Sequence, residues 1–481
     1  MRLHREGSLF RDEHGRQRIL HGVNLVAKGE RSARGADAFA GNWTAADLAD
    51  LAARGLTVIR LGVIWAAVEP QPSQYDETYL GWLSEQLDLC AAAGLSVLLD
   101  AHQDLYSQSF GDGAPDWATL TEHRFDPSGL WSDGYLTSPA VQQALDGFWT
   151  NQQAADGIGV GDHFAAMWAM LAGRFGNHPA VIGYDLLNEP TPGRQAPMIF
   201  GAMISALAEE VGMSADQLAA DFADPSLRVE RLSLLDDRER HYRIGDQVAG
   251  LLADFETTMI SPMMARVVAA IREVDHEKLI MREHSYFANS GVPAGIQPPP
   301  TATWAYSPHG YDLTVDIDPP ASSNRRAETI FLRARETQRQ LDVPVLVGEW
   351  GAFGGAAGIE DHGRFLLDLF DRWQWSWTYW CWEPDFASTE AAAVLTRPRP
   401  LAFAGTAESY AVDDDHFAAT WQGADLDAPT LFWLPAGWAD ARVELRRDGQ
   451  PTRPDQLGRE GSLVQVAPGR GTFELRVDCG R

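Results

Sequence analysis

The sequence predicts an α/β protein: a barrel of eight strand-plus-helix units, (β/α)8, followed by a small C-terminal antiparallel β-sandwich. Three observations lead there. Short apolar runs alternate with helical patterns over roughly the first 390 residues, as in a parallel barrel with helices outside. The two longest connections, 102–159 and 191–244, both follow the C-terminal ends of apolar runs, where barrels build their sites. From TRPRPLAFAG (396–405) onward, short runs are separated by turn residues about every 8–12 positions, the pattern of a sandwich. The expected division is 1–392 for the barrel with its two insertions and 393–481 for the sandwich.

The opening SLFRDEHGRQRI reads as a hairpin turning around His14-Gly15. Eight strands are expected at ILHGVNL (19–25), TVIRLGV (57–63), SVLLDA (96–101), VIGYDLL (181–187), KLIMRE (278–283), TATWAYSP (301–308), VPVLVGE (343–349) and WSWTYWCW (375–382). Each is a short apolar run, as a strand buried inside a parallel sheet reads. Helices are expected at 44–54, 76–93, 160–175, 245–274, 325–341 and 359–373. The first insertion is rich in Gly, Pro and aromatic residues, and the second contains the apolar helical stretch APMIFGAMISALAEEVGM. The tail follows as ATWQ, APTLFWLP, ARVELRRDG, SLVQVAPG and GTFELRVDCG.

Composition narrows the function. At 481 residues and 45% hydrophobic content, a large barrel with one appendage fits better than several equal domains. A formal charge of −28 argues against nucleic acid or an anionic membrane as the main partner, while leaving a neutral amphiphile open. Cys90, Cys381 and Cys479 are odd in number and far apart, so neither a disulfide framework nor a zinc site is indicated. The charged N-terminus MRLHREGSLFRDEHG has no apolar h-region, so no signal peptide is expected. That leaves a cytoplasmic protein and one secreted with its leader absent both open. No apolar run reaches about 18 residues, so no transmembrane helix is expected.

Carboxylates at strand ends carry the chemistry. YDLLNEP (184–190) ends the fourth run on Asn188-Glu189, and Pro190 should hold Glu189 extended and aimed into the barrel mouth. VPVLVGEWGAF (343–353) ends the seventh on Glu349, between glycines that allow close backbone approach. Strands four and seven lie roughly across a barrel, so the pair can flank a glycosidic bond. In a retaining mechanism the carboxyl groups stand about 5–5.5 Å apart, one as nucleophile and one as acid/base. Glu349 would stay ionised and attack the anomeric carbon. Glu189 would protonate the leaving oxygen, its pKa raised by the other carboxylate and by partial burial. Further polar residues mark other strand ends: Arg60, whose fixed fork could hold Glu349 ionised; His102 and Asp104; His309 and Tyr311; and Trp380 and Trp382 as a stacking platform.

LNEP (187–190), PHGY (308–311) and VGEWG (347–351), in that order, resemble a retaining clan A glycoside hydrolase of family five. HGVNLVAKG (21–29), DAHQDLYSQSFGDGAPDWA (100–118), DGFWTN (146–151) and LNEPTPG (187–193) narrow the resemblance to the endoglycoceramidases and their relatives. The resemblance covers roughly residues 1–390, and the tail is similar to the small β-sandwich that such enzymes carry. It implies Glu349 as nucleophile and Glu189 as acid/base, with Asn188 on the sugar 2-hydroxyl. It implies Arg60, His309 and Tyr311 as groups orienting the nucleophile. Lys28, His102, Asp104 and Trp149 would hold the sugar next to the cut, and Trp380 would be the platform, with Trp382 as the fallback.

The expected function is a retaining β-glycosidase that cuts between glycan and ceramide in glycosphingolipids. The alternatives are a β-glucosidase on glucosylceramide or steryl glucosides, and an endo-β-glucanase- or mannanase-like polysaccharide hydrolase. No metal or organic cofactor is expected: Asp100, His102, Asp104 and His309 could serve a metal-dependent hydrolase, but no HxH follows the first strand. The expected partner is a glycolipid or other β-glycoside with an apolar aglycone, met transiently at lipid surfaces, and no nucleic acid. Met198, Ile199, Phe200, Met203 and Ile204 offer a helix face for the aglycone. In the tail, Trp421, Phe432, Trp433 and Trp438 could bind carbohydrate, but a role in bracing the barrel is preferred.

Overall fold

The computed structural model describes residues 1–30 and 34–480. The chain opens with β1 (Leu3–Glu6), β2 (Leu9–Asp12) and β3 (Gln17–Arg18). It then runs through β4 (His21–Leu25), β5 (Val58–Ile64), β6 (Ser96–His102), β7 (Val181–Asp185), β8 (Leu279–Arg282) and β9 (Trp304–Tyr306). The short β10 (His309–Gly310), β11 (Leu346–Val347), β12 (Glu349–Trp350) and β13 (Ser376–Tyr379) complete this part. Each of the eight expected runs supplies one strand to a single parallel sheet, in the order β11-β13-β4-β5-β6-β7-β8-β9. A bridge between Tyr306 and Val345 closes the ring, giving the predicted barrel. Beyond the main ring β10 pairs with β12, which sets His309 directly beside Glu349.

Most expected helices form within a residue or two, as at Glu77–Ala92, Val160–Phe175 and Glu360–Trp373. The exception is the single helix expected at 245–274. There the chain is helical from Arg238, capped by Asp237, to Phe255, then makes a π-turn at Glu256–Ile260 before continuing as Ser261–Arg272. Pro262 accounts for the break: it lacks an N–H, and its ring would collide with the carbonyl one turn earlier in a regular helix. The buried Glu256 carboxylate uses the widened turn to accept the backbone N–H groups of Ser285 and Gly295.

The tail forms β14 (Arg399–Phe403), β15 (Gly405–Val412), β16 (His416–Gly423), β17 (Thr430–Trp433), β18 (Arg442–Arg447), β19 (Gln450–Pro451), β20 (Leu457–Glu460), β21 (Leu463–Val466) and β22 (Gly471–Asp478). One sheet runs β15-β16-β22-β18-β19. The other runs β1-β2-β3-β14-β17-β21-β20, so the opening hairpin lies on the tail's sheet. Its other face plugs the lower end of the barrel: Leu3, Phe10 and Leu20 pack with Val58, Leu98, Ile182, Leu279 and Leu346. Trp421, Phe432, Trp433 and Trp438 are all buried, which makes them core rather than a carbohydrate platform.

The second insertion folds on itself. Its helices Ala196–Val211, Ala215–Ala223 and Pro225–Leu232 enclose a core of Ile204, Leu207, Leu218 and Phe222, against which Leu313 and Ile317 pack. Among the described residues no single helix is long and apolar enough to cross a membrane; the bent pair Ala196–Val211 and Ala215–Ala223 qualifies jointly, with a 115° break.

Trp433 joins the tail to the barrel by lying against Gly55, whose φ is +77° and where a Cβ would come within 2.3 Å of the indole. Gly55→Ala should therefore destabilise the protein by about 2 kcal/mol or more, combining left-handed strain with the clash. Trp433→Ala should remove the clash part, so chemical denaturation of the four-protein cycle should give a smaller glycine effect in the Trp433→Ala background. Equal effects in both backgrounds would mean that the contact is not tight.

Candidate active site

The site is assembled around Arg60, which lies inside β5 rather than at its end and is fully buried. Its Nε donates to Asp185 Oδ2 at 2.9 Å. Nη1 reaches Asn24 Oδ1 at 3.0 Å and Glu349 Oε1 at 2.7 Å. Nη2 reaches Asn188 Oδ1 and Glu283 Oε1, both at 3.0 Å, and lies 2.9 Å from Asp100 Oδ1. From β5, one guanidinium thus ties together residues of β4, β6, β7 and β12 and the ends of β7 and β8. A rigid, always-charged fork suits this position, where a lysine would satisfy one or two partners.

Glu349 is held at both oxygens, since the Tyr311 hydroxyl donates to Oε2 at 2.6 Å. His309 Nδ1 stands 3.5 Å from Glu349 Oε2 and 3.2 Å from Glu189 Oε1, and its Nε2 stands 3.3 Å from Glu283 Oε1. One oxygen each of Glu189 and Glu349 and a His309 nitrogen lie within 4.8 Å of one another. That is the short separation of a retaining pair; inverting pairs stand about 6.5–9.5 Å apart.

The same contacts divide the two glutamates electrostatically. Burial pushes Glu349 up, but His309, Arg60 and the Tyr311 hydrogen bond outweigh it and hold the carboxyl at about 2. Burial pushes Glu189 up from its ordinary 4.5; His309 opposes this, and Glu349 and Asp104 add to it. Burial would also strip His309 of its proton, but Glu283 and Glu349 raise its pKa well above the ordinary value. Around these two cations stand Asp100, Asp185, Glu189, Glu283 and Glu349, more carboxylates than a buried site can keep ionised. Burial raises Asp100 to about 7 and Glu283 to about 8, so the surplus is carried as protons on groups other than Glu349.

Glu189 does not take the extended backbone expected before Pro190; its φ is +46°. Three contacts impose the left-handed geometry. Its N–H donates to Glu283 Oε2 at 2.8 Å, and its carbonyl accepts from Thr191 Oγ1 at 2.8 Å and Gln103 Nε2 at 3.3 Å. Local preference yields to this network, as happens where strain serves a site.

A cleft of about 200 Å³ opens above the glutamates. Lys28, His102, Asp104 and Trp380 line it as expected. Lys28 pairs with Asp104 and sits 4.4 Å from the centroid of the Trp380 ring, which stacks on His102 at 5.2 Å. His102 gives Nδ1 to Asp100 at 2.9 Å. Burial lowers its pKa to about 3, so Nε2 is an acceptor. Asn188 lies below the cleft surface, with its Nδ2 on the Gln103 carbonyl at 3.1 Å.

Two expected sugar contacts are elsewhere. Trp149 is buried beside Phe148 and Phe255, with its N–H on the Thr191 carbonyl at 2.8 Å, so it braces the loop after Glu189. Trp382 packs edge-on to Trp43, outside the cleft lining. The helix face at 198–204 also does not line the cleft. Ile199 and Ile204 are buried, Phe200 and Met203 pack into the insertion's cores, and Met198 is exposed. The apolar wall comes instead from Leu130, Leu313, Val315 and Ile317. The insertion supports that wall from behind, because Leu313 and Ile317 rest on its core.

Sequence reasoning missed Glu283, Asn24, Asp185 and Asn289. Glu283 carried the same signal as Glu349, a carboxylate at the end of an apolar run (KLIMRE), and could have been found by it. Asn289 had no such signal, being in the irregular stretch after β8.

Endoglycoceramidases are among the known proteins similar to this chain. Endoglycoceramidase I of Rhodococcus hoagii (strain 103S) is 35% identical over 193 residues, 40% of this chain and 37% of that protein. An endoglycoceramidase of Hydra vulgaris is 31% identical over 217 residues, 39% of this chain and 40% of that protein. The chain spans about two fifths of the length of these curated relatives. Endo-glycoceramidase II from Rhodococcus sp., solved as a lactosyl-enzyme intermediate, superposes with a TM-score of 0.74 at 25% identity, over 98% of this chain and 99% of that one. Residues 25–386 match the family described as Cellulase (glycosyl hydrolase family 5), and the chain belongs to that family of glycoside hydrolases.

Proposed function

We propose that the protein hydrolyses the β-glycosidic bond between a glycan and ceramide in glycosphingolipids, by double displacement with retention. The observation that carries the reading is the pair Glu189 and Glu349, with one oxygen of each within 4.8 Å and their pKa values shifted in opposite directions. Glu349 attacks the anomeric carbon while Glu189 gives its proton to the departing oxygen, leaving a glycosyl–enzyme. Glu189 then removes a proton from the water that displaces Glu349. Tyr311 and Arg60 keep the attacking carboxylate oriented and charged. Lys28, His102 and Asp104 offer donors and acceptors for hydroxyls, and Trp380 offers a face for a sugar ring.

The lipid half of the reading is supported by the apolar strip of Leu130, Leu313, Val315 and Ile317 in the same cleft. It is also supported by the endoglycoceramidase relatives. A polar end and an apolar end within one cleft suit a substrate with a glycan on one side and a hydrocarbon on the other.

Mass spectrometry of products from a ganglioside, lactosylceramide, glucosylceramide and a steryl glucoside tests the substrate, with Glu349→Ala as control. Intact oligosaccharide and free ceramide are expected, with the control inactive. Glucose released from monoglucosides alone would identify a glucosidase, and degradation of β-glucan without lipid cleavage would overturn the lipid assignment.

The pH dependence follows from the two shifts. Turnover needs Glu349 ionised and Glu189 protonated. The acid limb should therefore lie near the pH 2 range of Glu349, and the alkaline limb above the ordinary 4.5 of Glu189. Glu349→Gln removes a charge that raises Glu189, so the Glu189 titration midpoint should fall. Carbon-13 NMR of carboxyl-labelled glutamate can follow it in the inactive variant; a midpoint that stays or rises would contradict the coupling.

A further inference from the structure

Both hydrogen-bonding contacts to the Glu189 carboxyl fall on one oxygen. Oε1 accepts from Asn289 Nδ2 at 2.8 Å and lies 3.2 Å from His309 Nδ1. Oε2 makes no hydrogen bond among the described residues. It is also absent from their sealed, unpartnered polar atoms, so it opens to the cleft that Glu189 lines.

An asparagine amide can face either way, and here its direction is set from behind. Asn289 Oδ1 lies 2.7 Å from His284 Nε2, and His284 Nδ1 lies 2.7 Å from the Tyr306 hydroxyl. Burial keeps His284 neutral, with one ring proton to give. With Asn289 Nδ2 donating to Glu189 Oε1, the bonds behind it run in one direction. The Tyr306 hydroxyl donates to Nδ1, Nε2–H donates to Asn289 Oδ1, and the Asn289 NH2 therefore points at Glu189. Tyr306, His284, Asn289 and Glu189 are all buried, so water does not compete for these bonds.

We propose that Asn289, aimed by His284 and Tyr306, is a positioning residue for the acid/base glutamate: it occupies Oε1 so that the transferable proton resides on Oε2 and faces the leaving oxygen. The inference rests on the assignment of Glu189 as acid/base. In the first step the Oε2 proton moves to the leaving oxygen as its bond to the anomeric carbon breaks and Glu349 bonds to that carbon. In the second step Oε2 takes a proton from the water whose oxygen replaces Glu349. Asn289 stays on Oε1 throughout, so the proton leaves from and returns to the same atom.

Loss of this donor has two readable effects. A donor to the charged form lowers a carboxyl's pKa, so Asn289→Leu should raise the Glu189 midpoint by about one pH unit. The groups facing Glu189 are His309, Glu283, Glu349, Asp104, Tyr135 and Tyr286, and none is altered by the substitution. The midpoint is measured by carbon-13 NMR of carboxyl-labelled glutamate, with the Glu189 signal identified by its loss in Glu189→Gln. Misplacing the proton should also slow aryl β-glucosides and β-lactosides with poor leaving groups roughly tenfold or more, while dinitrophenyl glycosides change less than about threefold. Asn289→Gln should restore part of both effects, and Tyr306→Phe should show both more weakly.

An unmoved midpoint, or equal losses on all leaving groups, in folded Asn289→Leu would overturn the proposal; if that variant does not fold, the same result in Tyr306→Phe would do so. Glu189→Gln separates this failure from failure of the underlying assignment. If it too loses activity equally on all leaving groups, Glu189 is not the acid/base. If it loses activity chiefly on poor leaving groups while Asn289→Leu stays flat, the role of Asn289 alone is wrong.

Discussion

The structure depends on a single buried guanidinium. Arg60 makes hydrogen bonds or ion contacts with Asn24, Asp100, Asp185, Asn188, Glu283 and Glu349, which places one cation at the centre of a ring of carboxylates. Without it, several acidic side chains would face one another in a medium where each unpaired charge costs several kcal/mol. With it, their positions are fixed to within hydrogen-bonding tolerance, and one of them, Glu349, is held ionised. The charge on Glu349 and the geometry of the barrel mouth therefore have a common cause.

His309 extends this logic to the second glutamate. The β10–β12 pairing sets it beside Glu349, from where it also reaches Glu189 and Glu283. A group shared by Glu349 and Glu189 makes their protonation states interdependent, which suits the proposed reaction, in which one gains charge as the other loses it. Glu283 completes the link, because it faces His309 and also takes the backbone N–H of Glu189.

The barrel was legible in the sequence because its strands are buried on both faces and read as uninterrupted apolar runs. The two glutamates were legible because they end such runs abruptly. Other features were decided by tertiary contacts that leave no local trace. Pro190 argues for an extended Glu189, yet the side chains of Glu283, Gln103 and Thr191 hold it left-handed. Trp149 stands in a motif that resembles the sugar-binding one, but its ring turns inward. The apolar helix at 196–211 suggested a lipid groove, and periodicity alone could not tell a groove from the insertion's own core. Asn289 lies in irregular chain, where no period marks a functional position.

The opening hairpin closes the base of the barrel while hydrogen-bonded to a sheet built mostly from the last 80 or so residues. The two ends of the chain are thus interlocked, and the catalytic unit is not a separable module. Lineages that exchange accessory domains by recombination cut between independent folds. Here such a cut would leave β3 without β14 on its other side and unsettle the hairpin that seals the barrel floor. The tail is accordingly expected to be inherited with the barrel as one piece, and to vary by drift on its outer face rather than by replacement.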